Sequence, residues 1–320
     1  MQKRKYCDIV YIVVKLGKCA KSLFFLYNGD IVKQQNTPFL LRLLPIFFFT
    51  VAIGAGIGLH SYSFSWKTQF SGVGMWNFQN EETATTTSPI IKPDFAIIPI
   101  VTYHSVRPHI DGESEEQEQF DITPELLKKH LEYLKREGFT TISFETLADY
   151  FDGETSLPQK PVILSFDDSW KNQYIYAFPL LKEYKMTATF FVFTNSLDRK
   201  NHLTWEETRE MQKAGMEIGS HTKFHPYLGD IKDPAELKNE IVGSKNILEE
   251  SINAHITSFA YPFGEHATTS INEVKHAGYR TARSLRSGVV QNKEDLYSLR
   301  SFLATDNFED FRRMVERKEN

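Results

Sequence analysis

The sequence predicts a parallel α/β barrel domain that follows an N-terminal membrane anchor. Three observations point to it. Apolar strand-like runs alternate with capped helical segments over roughly the last 225 residues. Polar, chemistry-bearing residues stand at the C-terminal ends of successive runs. One uncharged stretch lies near the N-terminus, apart from that alternation.

That stretch is LLPIFFFTVAIGAGIGL, residues 43–59, seventeen residues without a charge. Seventeen is the short end of a bilayer span, and Arg42 can snorkel so that Leu40 and Leu41 extend it. A buried core helix is the alternative. Against it, Phe47, Phe48 and Phe49 form no one-sided stripe, and Gly54, Gly56 and Gly58 would weaken a soluble helix. The run begins some forty residues in and no small-x-small cleavage site follows, which favours an uncleaved anchor over a signal peptide.

Charge orients the anchor. Residues 1–60 carry eight Lys or Arg against two Asp, while the remainder nets −10. The basic residues, from Lys3, Arg4 and Lys5 to Lys33 and Arg42, all precede the span, so the positive-inside rule places the N-terminus in the cytoplasm. The expected organisation is a basic cytoplasmic segment 1–42, a transmembrane helix 43–60, a linker 61–93 and a folded domain 94–320 outside the cell membrane. Within the first segment, Lys15, Lys18 and Lys21 interrupt the apolar stretch 9–25, which suits an interfacial helix better than a second span. Both cysteines, Cys7 and Cys19, lie there, so the outer domain is held by its core alone. Its acidic balance excludes a general nucleic-acid binder.

The outer elements follow in order. Residues 95–103 read as a buried strand ending at His104. Thr123 and Pro124 give a cap and first-turn proline for a helix through Arg136. Strands follow over 139–142 and 161–166, then a helix over 170–184 that Pro179 kinks or breaks. Residues 188–194 are a continuous apolar strand. Thr204 and Glu207 form a capping box for a helix to Gly215, and Asp233 and Glu236 another for a helix to about Glu250. Strands at 216–219, 256–260 and 279–282, a helix capped at Ser270 and a last helix over 307–317 complete the set. Six or seven βα units suit either an open doubly wound sheet or a barrel. His104, Asp167 with Asp168, His221 and Tyr261 all end strands, and a barrel makes those ends converge on one mouth.

Chemistry sits in two short motifs. Leu164-Ser165-Phe166-Asp167-Asp168 puts adjacent carboxylates where a buried strand ends; neighbouring side chains diverge, so one can hold a metal while the other faces a reacting water. Ser220-His221-Thr222-Lys223-Phe224-His225 adds two imidazoles four apart, which share a face if the segment turns helically. Alone, an Asp pair is more often a helix cap, and two histidines at this spacing are common by chance. Together they favour a metal, and one Asp with two His leaves positions open as a catalytic centre does.

Over about residues 95–305 the chain resembles the polysaccharide deacetylase family, the NodB-homology or carbohydrate esterase family 4 domain. Ser165-Phe166-Asp167-Asp168 matches its first motif, which implies that Asp167 is the general base and Asp168 a metal ligand. His221-Thr222-Lys223-Phe224-His225 matches the second, which implies two histidine ligands. Tyr261-Pro262-Phe263-Gly264 is similar to the groove-lining third motif. Tyr103-His104-Ser105-Val106 resembles the opening of the exopolysaccharide poly-N-acetylglucosamine deacetylase branch. The resemblance implies a distorted (β/α) barrel of the NodB type and a divalent ion, zinc before cobalt, nickel or manganese. It implies metal-dependent removal of N-acetyl groups from N-acetylglucosamine-containing cell-surface polysaccharide, releasing acetate. The resemblance implies an N-acetylated glycan as partner; the N-terminal helix adds the membrane, the acidic charge argues against nucleic acid, and no obligate protein partner is indicated. A binding protein that has lost turnover, or an esterase or amidase on another acylated substrate, stands as the alternative.

Two departures from the family pattern set further expectations. Many members place an arginine where Tyr261 stands, to orient the catalytic aspartate; Arg280 and Arg283, flanking a strand end, are the candidates to replace it. No histidine follows His276 to match the family's late general acid, so the resemblance points to His104, with His109 on a loop as the other candidate. Trp170, Trp205, Tyr261 and Phe263 are candidates for sugar stacking, the last two favoured. His202, His255, His266 and His276 read as surface or capping residues.

Overall fold

The computed structural model describes residues 94–110, 112 and 120–317, together with the backbone of three strands before residue 32. The transmembrane helix expected over 43–60 and the linker over 61–93 lie outside the described residues. Among the described residues no helix is long and apolar enough to cross a membrane. The chain divides into two units, Met1–Glu82 and Thr83–Asn320.

In the first unit β1 (Val10–Leu16), β2 (Ala20–Tyr27) and β3 (Asp30–Ile31) pair antiparallel in that order. This corrects the interfacial helix expected over 9–25. Val10, Ile12, Val13 and Val14 are β-branched and lose side-chain freedom in a helix, whereas a pleated strand accepts them.

The second unit opens with β4 (Phe95–Ile97) and β5 (Ile100–Tyr103), where a single strand is expected. Pro99 divides them because it has no N–H for a ladder. β6 (Ser105–Val106) and β7 (Asp121–Ile122) pair with each other. The Thr123 side chain then caps α1 (Pro124–Arg136) by accepting from Leu126 N at 3.1 Å, as its sequence predicts. β8 (Thr140–Thr141) leads to α2 (Phe144–Asp152), a helix absent from the sequence reading; Ser143 caps it and Gly153 ends it at a left-handed φ of 74°. β9 (Pro161–Phe166) is followed by a π turn, Gln173–Ala177, running into α3 (Phe178–Tyr184). Pro179 has no N–H for the carbonyl one turn back, and the helix widens just before it.

β10 (Thr189–Val192) and α4 (Trp205–Lys213) come next, with the predicted Thr204–Glu207 capping box in place. After β11 (Glu217–Ser220), the helix expected over 233–250 is α5 (Pro234–Lys238), a π turn at Asn239–Gly243, and α6 (Ser244–Ile252). β12 (Ser258–Ala260) precedes α7 (Thr268–His276). Ser270 lies inside that helix instead of at its cap, its Oγ accepting from Ala267 N at 2.9 Å. β13 (Thr281–Arg283), β14 (Val290–Asn292), β15 (Phe302–Leu303) and α8 (Phe308–Glu316) finish the unit.

The main sheet is parallel, ordered β13-β12-β11-β10-β9-β5-β15, with β8 also on β9; β14 pairs separately with β4. Leu299 bridges Arg283 in parallel, and β15 pairs with β5, so one stretch of chain joins both edges of the sheet. The sheet therefore curls into a barrel. β9 is buried on both faces: Val162, Leu164 and Phe166 meet Leu131, Leu134 and Leu181 outside, while Ile163 joins Ile100, Phe191 and the α2 residues Phe144, Leu147 and Phe151. Burying each such side chain contributes about 1.5–3 kcal/mol, which explains the uninterrupted apolar runs in the sequence. It also explains α2, whose apolar face packs into that second cluster.

Candidate active site

His104, Asp167, Asp168, His221, Tyr261 and Arg283 all sit at strand C-terminal ends, after or at the end of β5, β9, β11, β12 and β13. The ladders continue into the site: Asp167 N donates to Tyr103 O at 2.9 Å, and His221 N to Val192 O at 2.8 Å.

Two of these side chains, Asp168 and His221, form a cluster with His225. Asp168 Oδ1 lies 3.5 Å from His221 Nε2 and 3.2 Å from His225 Nε2, and the two Nε2 atoms are 3.2 Å apart. The imidazoles do not share a helical face. Thr222 and His225 adopt left-handed φ of 70° and 63°, and Thr222 Oγ1 accepts from His225 N at 2.9 Å, so a tight loop brings the rings together. His221 Nδ1 stands 2.7 Å from Ala260 O. A carbonyl only accepts, so Nδ1 carries the proton and Nε2 presents its lone pair to the cluster. Burial works against the Asp168 charge, but the ring nitrogens of His221 and His225 outweigh it and hold the carboxyl well below the usual range. Burial likewise opposes charge on His221, yet Asp168 and Asp167 raise its pKa. With Asp168 Oδ1 buried and lacking a well-formed hydrogen bond, these atoms fit a divalent ion.

Asp167 stands beside this cluster and is almost fully buried. Its Oδ2 accepts from Arg283 Nη2 in a close ion pair, while Oδ1 has no hydrogen-bond partner among the described residues. Of the two candidate arginines, then, Arg283 takes the aspartate. Arg280 turns outward to Asp149 and Asp152, at 2.6 and 2.7 Å. Gln173, which the sequence did not single out, is fully buried and donates from Nε2 to His104 O at 2.8 Å and Asp167 O at 2.5 Å. One amide thus ties two strand ends together.

His104 Nε2 lies 3.9 Å from Asp168 Oδ2, and its Nδ1 is buried with no hydrogen-bond partner among the described residues. Burial lowers its pKa, although Asp167 and Asp168 both pull upward. His109 is exposed and lies outside the groove wall.

The groove holds about 760 Å³, with His104, Asp167, Asp168, His221 and His225 in its wall. Phe263 lines it too, stacked at 3.7 Å on Tyr227 and edge-on to His225 at 4.7 Å. Trp170 also faces the groove, its other contact being the His202 ring at 4.9 Å; Trp205 does not. The other residues of the third motif correct the sequence reading. Tyr261 is 1% exposed, with its hydroxyl on Tyr297 O at 3.0 Å and its ring on His266, so it packs inside instead of meeting substrate. Pro262 is buried, and Gly264 serves a backbone turn against Leu285.

A curled parallel barrel whose strand ends gather three side chains able to hold a metal ion, beside an arginine-held aspartate, has the frame of a hydrolytic enzyme. Its kinships agree. Residues 154–282 match the family model described as polysaccharide deacetylase. YxkH of Bacillus subtilis, which carries a polysaccharide deacetylase name, is 27% identical over 222 residues, 69% of this chain and 76% of its own. Poly-beta-1,6-N-acetyl-D-glucosamine N-deacetylase of Staphylococcus aureus is 24% identical over 231 residues, 65% of this chain and 79% of its own. The Streptococcus pyogenes deacetylase PplD, solved in complex with acetate, superposes with a TM-score of 0.64 at 27% identity, over 69% of this chain and 98% of that one. Residues 154–282 thus carry the pattern of the polysaccharide deacetylase family, and the chain is similar to enzymes of that name over 69% of its length.

Proposed function

We propose that the chain removes N-acetyl groups from an N-acetylglucosamine-containing cell-surface polysaccharide, releasing acetate and leaving a free amine on the sugar. The observation that carries this reading is the buried Arg283–Asp167 pair set beside the Asp168, His221 and His225 cluster in one groove. The relatives support the substrate class: one is named for poly-N-acetylglucosamine, and another was captured with acetate.

Asp168, His221 and His225 would hold the ion, with zinc preferred for two imidazoles and a carboxylate. When bound, it supplies Lewis acidity that polarises an acetamide carbonyl and makes water more acidic. Arg283 fixes Asp167 through Oδ2, and Oδ1 takes the proton from the attacking water. The water oxygen bonds to the acetamide carbon, the C–N bond breaks, and His104 as imidazolium gives a proton to the departing nitrogen. Base and acid are assigned to two groups: Asp167, which Arg283 holds, and His104, whose Nε2 lies 3.9 Å from Asp168 Oδ2. Burial lowers the His104 pKa, and Asp167 and Asp168 offset that only in part. Phe263 and Trp170 offer apolar faces to a sugar ring. Anchoring by residues 43–60, with 94–320 outside the membrane, would put this groove where cell-surface glycan lies.

The test is acetate release from N-acetylglucosamine oligomers by the zinc-loaded full chain. Asp167→Asn and His104→Ala should each lower turnover by about 10²–10⁴-fold. A folded, zinc-loaded chain that releases no acetate from several glycans would leave the binding-protein alternative standing.

A further inference from the structure

His221 and His225 are joined by Thr222, Lys223 and Phe224, a stretch in neither helix nor strand. Two of these five residues hold left-handed backbone, Thr222 at φ 70° and His225 at φ 63°. Side chains other than glycine disfavour that conformation, so the surroundings must impose it. One carboxylate does much of this. Glu240 Oε2 accepts from Lys223 N at 3.0 Å and from Phe224 N at 2.9 Å, so two successive amides of the loop converge on a single charged oxygen.

Glu240 is only 4% exposed and belongs to the π turn between α5 and α6. Two neighbours tie the same region to the histidine segment. Asn239 Oδ1 accepts from Lys223 Nζ at 3.3 Å, and Ser244 Oγ lies 2.9 Å from the Oγ of Ser220, the residue before His221. A wide turn in a helix is an unfavourable local choice that recurs at functional sites. Here it stands directly against the loop that carries both imidazoles.

We propose that Glu240 is a positioning residue: its carboxylate fixes the loop between His221 and His225 so that both Nε2 atoms face Asp168. This rests on the reading of that cluster as a metal site. Glu240 touches neither the ion's ligand atoms nor substrate; it sets the backbone from which the ligands project. Partners that orient metal ligands are worth about 10–100-fold in metal affinity.

The experiment measures zinc affinity of the full chain by competition with a chromogenic chelator, and the visible spectrum of the cobalt-loaded protein. Glu240→Ala should weaken zinc binding about 10–100-fold and change the cobalt bands. Glu240→Gln keeps an acceptor oxygen and should recover most of the affinity, which a general packing role would not require. Wild-type zinc affinity with an unchanged cobalt spectrum in folded Glu240→Ala overturns the proposal. If Glu240→Ala does not fold, Glu240→Asp decides: it keeps the charge but withdraws the oxygen by one methylene, and wild-type affinity there overturns the proposal equally. A wild-type chain that binds no zinc overturns the metal reading itself, a result distinct from equal binding by wild type and variant.

Discussion

Arg283, the last residue of β13, and Asp167, the residue after β9, form a buried ion pair across 116 positions of sequence. The guanidinium is 0% exposed and the carboxylate 3%. Such a pair is stable only where geometry and extra contacts offset the desolvation of both charges. Here the Arg283 guanidinium carbon lies 5.4 Å from the centre of the Phe191 ring, and Nη1 reaches Ser301 Oγ at 3.5 Å. The barrel's curl makes the pairing possible, since Leu299 bridges Arg283 and β15 continues onto β5, the neighbour of β9.

Arg283→Gln should leave Asp167 buried without its cation. Removing one partner of a buried pair costs about 3–5 kcal/mol, so the melting temperature should fall. Acetate release should drop at least about a hundredfold while zinc stoichiometry stays at the wild-type value, because no metal ligand is touched. Arg283→Lys keeps the charge without the planar fork and should fall between the two. Turnover, thermal melts and metal content measured together check this; wild-type turnover in Arg283→Gln would refute the orienting role.

Chelation should abolish acetate release, and added zinc should restore it. Asp168→Asn keeps the shape of the carboxylate but loses its charge beside His221 and His225, so zinc binding should weaken by at least about tenfold. Metal content after dialysis, set against residual turnover, checks it. Activity that survives a chelator able to strip the bound metal would contradict the assignment.

Much of this site was legible because the residues concerned are short-range in sequence. Asp167 with Asp168, and His221 with His225, lie within a few positions of each other, and buried strands announce themselves by continuous apolar runs. What was not legible depends on contacts between distant segments. Gln173 is an ordinary polar residue until the fold places it under the carbonyls of His104 and Asp167. Tyr261 has a motif position that suggests substrate, but its burial against His266 and Tyr297 follows from the chain's path after β12. The break at Pro99 was available in the sequence, since proline cannot donate to a ladder; the partner of the detached strand, β14, was not. Helix α2 has a good cap at Ser143, yet its nine residues make a short amphipathic signal beside the strands it packs against.

Phe263→Ala should raise KM several-fold and leave the turnover number close to wild type, since the ring lines the groove and its ring contacts are His225 and Tyr227, not the proposed base and acid Asp167 and His104. Gly264→Ala should be worse. Gly264 has φ +72°, and a Cβ there would lie 2.6 Å from Leu285 Cβ and 2.7 Å from Leu285 N. The loop must shift to admit it, carrying Phe263 away from His225, so both stability and turnover should fall. Kinetics on the two variants side by side would show it, and a silent Gly264→Ala would show that this turn is slack.

Stability should also carry a signature from His130, which does not line the groove. Its ring stacks on Phe311 of α8 at 3.8 Å and is nearly parallel to it, and its Nδ1 lies 3.1 Å from the Tyr103 hydroxyl. Burial pushes its pKa down from 6.5 to about 3, so the folded protein holds the ring neutral. In the unfolded chain the same ring takes a proton near 6.5, the ordinary histidine value. Protonation therefore favours unfolding: the full stabilisation is present above that value and is lost as pH falls from it toward about 3. The slope from this one group is about 1.4 kcal/mol per pH unit in that window. Carboxylates add their own slope in the same direction at the acid end, so the comparison must be with a variant that does not titrate. His130→Gln should start less stable at pH 7.5, having lost the stack, but should lose less stability between pH 6 and 4.5. Urea melts at four or five pH values for both proteins would measure the difference. Parallel curves would mean that α8 is docked by packing alone and that the His130 proton has no part in it.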